Sequence, residues 1–263
     1  MINQKELIKY ENDGYIILRN FFSKSKIEKI RLEIIKLSKK KQGKHFYYEN
    51  IGKKGKKVLR RIEKISQNSK LMKNLLKEYK LKLALRKLTK LNNYLFKDKL
   101  NFKFPGAGGF DPHIDGHFLW KNQNNLIKKG WSVYGNKFIN VVFPLEKSTV
   151  KNGCIYLAKK KYTDLYLGKS WDEISKKLIK FTPKIKTKNL KKIKFRPMIM
   201  EQGDIMFFDW KVVHYSKKNV SNKSRMIFYA TYINSRKSKT QVIKKYYLDK
   251  LKSKNNIKNK SLI

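Results

Sequence analysis

One cysteine, Cys154, in a chain of 263 residues leaves no internal disulfide and no cysteine-built zinc site. Acidic residues are scarce as well: 19 Asp and Glu stand against 65 Lys and Arg, a formal charge of +46. Arginine is scarce within that excess, with eight of the 65 basic residues. Arginine forks pair bidentately with guanine and phosphate, so a surface built of lysine argues against sequence-specific nucleic-acid recognition. The lysines recur in nearly every segment, for example Lys39 to Lys41, Lys53 to Lys57, Lys159 to Lys161 and Lys191 to Lys194. That spread predicts a solvated lysine surface, with weak polyanion binding as its second consequence. Long apolar runs are absent, which predicts no membrane span, and the opening MINQKELIKYENDGY lacks the apolar stretch of a secretory signal. The expected compartment is the cytoplasm. Histidine is limited to His45, His113, His117 and His214, so any histidine chemistry has few places to reside.

Aromatic residues are plentiful: 15 Tyr, 15 Phe and 4 Trp supply ample surface for a core and exclude a disordered basic tail. Tyr15 to Arg19 reads as a strand after the Asp13-Gly14 turn. In SKSKIEKIRLEIIKL, Ser25 and Glu28 have capping-box spacing, and Ile27, Ile30, Ile34 and Leu37 follow a helical period. Residues 39–57 read as a loop or irregular hairpin. Leu71, Met72, Leu75, Leu76 and Tyr79 mark a second helix, and Leu81 to Leu95 a third helical stretch. After residue 98 the texture changes to the short aromatic and β-branched runs LNFKF, FINVVFPL, CIYLA, IMFFDW and RMIFYATYI. That series predicts an all-β sandwich or barrel rather than βαβ units. A Lys-rich insertion over 159–194, helical around WDEISKKLI, interrupts it. The expected organisation is a single domain over 1–263: helical support mostly in 1–97, a β core over about 98–235 and a basic tail from 236 to 263.

The segment DPHIDGHF holds two of the four histidines. Positions i and i+2 of a strand share a face, so His113 and Asp115 can aim at one point. His214 lies at the end of another aromatic run, FFDWKVVHYS. Two histidines and one carboxylate with open adjacent positions make the facial set that suits non-haem Fe(II). Arg225 follows His214 by eleven residues and opens a strand. Its fork suits a carboxylate, and a metal beside such an anchor is what binding of 2-oxoglutarate requires. His113 and His117 also have the i,i+4 spacing of a zinc-protease helix, but Pro112, Gly116 and the missing Glu argue against that.

Taken in order, ENDGYIILRNFFSKSKIEKI, RRIEKI, NFKFPGAGGFDPHIDGH, VKNGCIYLAKKKYTD and EQGDIMFFDWKVVHYSKKNVSNKSRMIFYATY resemble the phytanoyl-CoA dioxygenase-like family of Fe(II)/2-oxoglutarate-dependent oxygenases. The resemblance covers about residues 5–235. It implies a mainly β fold with flanking helices, a double-stranded β-helix of the jelly-roll, cupin-like kind. It implies Fe(II), 2-oxoglutarate as co-substrate and O2, with hydroxylation of a substrate C–H and release of succinate and CO2. By the same likeness His113, Asp115 and His214 are the iron ligands and the catalytic centre, and Arg225 anchors the co-substrate with Ser216 as a helper hydroxyl. Asn101 sits where related hydroxylases carry an Asn near the co-substrate. Asn140, the one polar residue inside FINVVFPL, faces either the barrel interior or a solvated edge. His117 and Trp120 are the candidates for substrate contact. The family pattern is broken at Ile114, which points away from the ligand pair, and at Lys159 to Lys161, where Gly-Ser-His is usual. The second break lies at the expected pocket mouth. The expected partner is a small polar or anionic metabolite, in the branch that includes 2-aminoethylphosphonate dioxygenases. A nucleic-acid or acyl-CoA substrate, and a non-catalytic binder on a degenerate barrel, stand as alternatives.

Overall fold

The computed structural model describes residues 2–39, 43, 45–52, 55–116, 119–121, 127–167, 187–234 and 238–255. Helix α1 (Gln4–Asp13) starts with a capping box between Asn3 and Glu6 and stops at Gly14, whose φ of 78° lets its N–H reach Tyr10 O. Strand β1 (Tyr15–Leu18) follows as expected. Helix α2 (Lys24–Ser38) is capped by Ser23, two residues before the expected Ser25. The reason lies on either side of it: Phe22 N–H is held by Gly203 O, and the Glu28 carboxylate, needed for a box with Ser25, is taken by Arg31 and Gln202. The buried stripe of α2 is the predicted one, Ile27, Ile30 and Ile34.

The Lys/Gly-rich segment resolves into a hairpin of β2 (Phe46–Ile51) and β3 (Lys56–Glu63). The second helical stretch divides into α3 (Ile65–Asn68) and α4 (Lys70–Leu75), followed by α5 (Tyr79–Thr89). Helix α5 ends where Lys90 turns left-handed at φ 57°, and β4 (Tyr94–Lys103) begins four residues later. Tyr94 and Leu95 therefore belong to the first barrel strand, not to the predicted helix.

Strands β5 (Phe110–His113), β8 (Lys137–Pro144), β9 (Ile155–Ala158), β10 (Phe195–Pro197), β11 (Ile205–Asp209), β12 (His214–Ser216) and β13 (Arg225–Asn234) complete the core with β4. A short hairpin, β6 (Leu119–Lys121) with β7 (Ile127–Lys129), leaves it after β5. All pairings are antiparallel. One sheet runs β1-β11-β8-β13-β4-β3-β2 and the other β10-β9-β12-β5. The core strands thus alternate between two facing four-stranded halves except for β9 and β10, which pair in the small sheet, and form the double-stranded β-helix that the sequence predicted.

Alternation along the large sheet sorts its side chains. Leu100, Phe143, Phe207 and Phe228 face outward onto α2, α4 and α5. Val142, Met206, Phe208 and Ile227 face inward and meet Ile155 and Leu157 of the small sheet. Helices α6 (Lys160–Leu167) and α7 (Thr187–Leu190) follow β9, whereas the expected helix at WDEISKKLI lies outside the described residues. The expected basic tail is a helix, α8 (Lys239–Asn255), as far as residue 255. Its Val242 and Tyr246 are buried with Phe96, Trp131, Tyr134 and Phe138. Asp249 accepts from the Tyr134 hydroxyl, and Lys250 pairs with buried Glu63. No helix among the described residues is long and apolar enough to cross a membrane.

The turn after β5 is fixed against this aromatic cluster. Gly116 has φ 67°, and a Cβ there would lie 2.4 Å from the Trp131 ring. Gly116→Ala is expected to destabilise the fold by about 2–4 kcal/mol, from left-handed strain plus overpacking. A urea titration checks this, and an unchanged midpoint would show that Trp131 yields freely.

Candidate functional site

Strand β12 lies between β5 and β9, and the register places His214 opposite His113 on one side and Leu157 on the other. His113 is the last residue of β5, and Asp115 sits in the turn just past it rather than on the strand. Likewise, His214 opens β12 rather than closing the preceding aromatic strand. The two imidazole rings are 4.3 Å apart between centroids, and His214 Nε2 is 3.8 Å from Asp115 Oδ2. One ligand atom from each of the three residues falls within 4.8 Å of the others, and all three side chains are buried.

Each imidazole is oriented by a backbone carbonyl two residues before it. His113 Nδ1 is 2.6 Å from Asp111 O, and His214 Nδ1 is 2.9 Å from Val212 O. A carbonyl only accepts, so each Nδ1 carries the proton and each Nε2 presents its lone pair to the shared point. Burial, with His214 alongside, pulls His113 down to about 3, and burial lowers His214 as well. Burial alone would raise Asp115, but His214, Lys97 and Lys99 outweigh it and hold the carboxyl at about 2. Two neutral imidazoles and an ionised carboxylate are the protonation states that a divalent metal needs. The donor set therefore fits Fe(II).

Asn140 faces the interior. Its Nδ2 donates to Asp115 Oδ2 at 2.9 Å, and its Oδ1 accepts from Thr231 Oγ1 at 2.8 Å. Residues from two strands of the large sheet thereby aim a carboxylate that belongs to the small one. Of the two placements open to Asn140, the structure gives the barrel interior, against Asp115.

The β4–β13 register sets Lys103 opposite Arg225, Asn101 opposite Ile227, Lys99 opposite Tyr229 and Lys97 opposite Thr231. Alternation turns all four β4 residues toward the interior. A cavity beside the triad is lined by Lys99, Asn101, Phe110, Ser216 and Tyr229 together with His113, Asp115 and His214. Arg225 is 1% exposed, and its Nε and Nη1 have no hydrogen-bond partner among the described residues; Asn101 Oδ1 has none either. Buried guanidinium nitrogens left in that state are an opening for an anion. Lys103 Nζ donates to Ser216 Oγ at 2.9 Å and to Lys217 O at 2.7 Å. Burial, then Arg225 and Arg60, lowers Lys103 to about 6.

The structure thus brings together His113, Asp115, His214, Ser216, Asn101 and Asn140 around one interior, with Arg225 on the inner face of β13. His117 lies outside the described residues, and so does the side chain of Trp120, whose backbone is in β6. Of the lysines expected at the pocket mouth, Lys159 pairs with Asp13 at 2.6 Å, Lys160 approaches Asp209 at 3.8 Å and Lys161 lies 5.4 Å from the Tyr162 ring centroid. Sequence reasoning missed Lys97, Lys99, Lys103 and Thr231. The signal was the two-residue period of Lys97, Lys99, Asn101 and Lys103, hidden by the abundance of lysine everywhere else.

Residues 10–227 match the phytanoyl-CoA dioxygenase family. A 2-aminoethylphosphonate dioxygenase from an uncultured bacterium is 26% identical over 252 residues, covering 94% of this chain and 87% of that protein. A methylphosphonate hydroxylase of Gimesia maris is 24% identical over 161 residues, 60% of this chain and 52% of the relative. Among solved structures, EctD from S. alaskensis with 2-oxoglutarate and 5-hydroxyectoine superposes with a TM-score of 0.67 at 16% identity, over 88% of this chain and 76% of that one. The chain belongs to the phytanoyl-CoA dioxygenase family, as a non-haem iron dioxygenase that uses Fe(II), 2-oxoglutarate and O2.

Proposed function

We propose that the protein hydroxylates an unactivated C–H bond of a small anionic metabolite, an organophosphonate in the first instance. The observation that carries the reading is the interior itself. A buried His-Asp-His set shares it with Lys99 and Asn101, and Lys103 and Arg225 lie farther along the same inner face. Side chains of this kind carry charge there only at a desolvation cost that an anion offsets. The phosphonates named for two relatives supply the class. With 2-oxoglutarate and O2, bound iron supplies the oxidising power: one oxygen atom enters the C–H bond as hydroxyl, the other enters succinate, and CO2 leaves.

The chain's own residues divide the remaining work. His113, Asp115 and His214 hold the metal, and Asn140 with Thr231 keeps the Asp115 carboxylate turned toward it. Arg225 receives the distal carboxylate of the co-substrate, with Lys103 and Ser216 beside it. Phe110, Ile155 and Tyr229 wall the cavity with apolar surface and limit water around the reacting carbon. A direct test is substrate-stimulated succinate formation with methylphosphonate, 2-aminoethylphosphonate, their carboxylate analogues, acyl-CoA esters and oligonucleotides. Stimulation by phosphonates is expected; stimulation by acyl-CoA or oligonucleotides alone would overturn the substrate class.

Each of His113→Ala, Asp115→Ala and His214→Ala is expected to abolish tight iron binding and turnover. Asn140→Ala is expected to weaken iron about ten- to a hundredfold, because a freed carboxylate must be ordered at binding. Iron titration monitored by metal analysis separates the two classes, and wild-type retention in Asn140→Ala would remove its positioning role.

Arg225→Lys is expected to raise the 2-oxoglutarate requirement by about ten- to a hundredfold, ~1.5–3 kcal/mol for a lost bidentate pair, and Arg225→Ala by more. Titration of both variants matching wild type would exclude Arg225 as the anchor.

Lys103 adds a pH dependence. With its value lowered to about 6, it is mostly neutral at pH 7.5 in the empty site, and a bound dianion raises it. Between the two values binding takes up a proton, so affinity for 2-oxoglutarate falls as pH rises through that window. Anaerobic calorimetry in buffers of different ionisation enthalpy should show the uptake, and Lys103→Met should lose it. Identical heats for the wild-type protein in all buffers would refute the assignment.

A further inference from the structure

We propose that Lys97 and Lys99 of β4 form the clamp for the substrate's anionic head group, at the end of the barrel interior away from Arg225. The assignment rests on the reading of an anionic substrate above and names the residues that select it.

Position comes first. Lys97 stands opposite Thr231, which bonds Asn140, which bonds Asp115, so Lys97 shares the level of the metal set. Lys99 lines the cavity with His113, Asp115 and His214. Lys103, at the other end of the same row, stands opposite Arg225. Six residues of strand separate Lys97 from Lys103, about 20 Å at the usual rise. The carbon chain of 2-oxoglutarate spans only about 6 Å. One co-substrate anchored at Arg225 cannot also neutralise Lys97, so the row serves two anions.

Chemistry comes second. Neither Lys97 nor Lys99 has an ion pair or hydrogen bond among the described residues. Glu63, the other carboxylate that influences Lys97, already pairs with Arg61 at 3.3 Å and with Lys250. Instead, the Lys97 ammonium sits 3.8 Å from the centroid of the Trp131 ring, and Lys99 lies 5.4 Å from that of Tyr229. An aromatic face holds an ammonium in place and leaves its N–H donors free for a ligand. Two ammonium groups on alternate residues, with Cα atoms about 7 Å apart, suit the several oxygens of one tetrahedral dianion better than a single carboxylate. The clamp therefore favours phosphonate or phosphate over carboxylate.

The test is anaerobic calorimetry of the Fe(II)- and 2-oxoglutarate-loaded protein with methylphosphonate, inorganic phosphate and acetate. Lys97→Met and Lys99→Met are each expected to weaken methylphosphonate about ten- to a hundredfold. Lys97→Arg should retain most of the binding, which separates lost charge from lost fold. Iron content and 2-oxoglutarate affinity should stay within about twofold of wild type. Undiminished methylphosphonate binding in both Met variants would overturn the clamp and leave the phosphonate reading standing. A 2-oxoglutarate loss as large as the phosphonate loss would overturn it too, by placing the lysines at the co-substrate. If wild type ignores methylphosphonate but binds phosphate through the same lysines, the clamp stands and the phosphonate reading falls. If wild type binds no oxyanion, both fall.

Discussion

Positive charge carried into the barrel interior is the constraint on which the rest of this structure turns. Lys103 and Arg225 are almost fully buried, and Lys97 and Lys99 are half-buried on the same face of β4. Asp115 is the only carboxylate that the described cavity wall offers them. A charge moved from water into such a space is costly unless a partner meets it, and effective penalties run to several kcal/mol per ion. Burial lowers the values of these lysines, that of Lys103 to about 6, and aromatic faces meet Lys97 and Lys99.

The two sheets divide the task. The small sheet carries the metal donors, because the β5–β12 pairing sets His113 against His214 and backbone carbonyls lock each ring. The large sheet carries the cations on β4 and β13. Asn140 is the junction: it sits on the large sheet, is held by Thr231 there, and fixes a carboxylate from the small one. A shift of either sheet against the other therefore moves the His-Asp-His set and the buried cations together.

Much of this was legible in the sequence, for physical reasons. Short aromatic strands announced the barrel, and the spacing of His113, Asp115 and His214 announced three side chains that the fold brings together. Local signals failed where distant contacts decided. Ser23 caps α2 because Glu28 is committed to Arg31 and Gln202, of which Gln202 lies far along the chain. Leu95 was drawn into a helix by its neighbours' pattern, yet pairing with Tyr232 makes it strand. The direction of Asn140 could not be settled from alternation, since a one-residue change of register inverts a strand's faces. The lysines of β4 were invisible for a different reason. In a chain with 65 basic residues, three that matter look like the other lysines until the opposite sheet is known.

Strand order also bears on how the molecule comes into being during synthesis. β13 lies in the middle of the large sheet, between β8 and β4, although it is the last strand in chain order among the described residues. While a ribosome is still making residues before 225, β4 and β8 have no strand between them and each exposes a long edge. Such edges pair with the wrong chains unless shielded, and contacts so distant in sequence form slowly. The barrel therefore cannot close as it is made. It closes when β13 arrives, and the same strand brings Arg225 and Thr231, so a chain arrested earlier lacks both its central seam and the partner that holds Asn140 against Asp115.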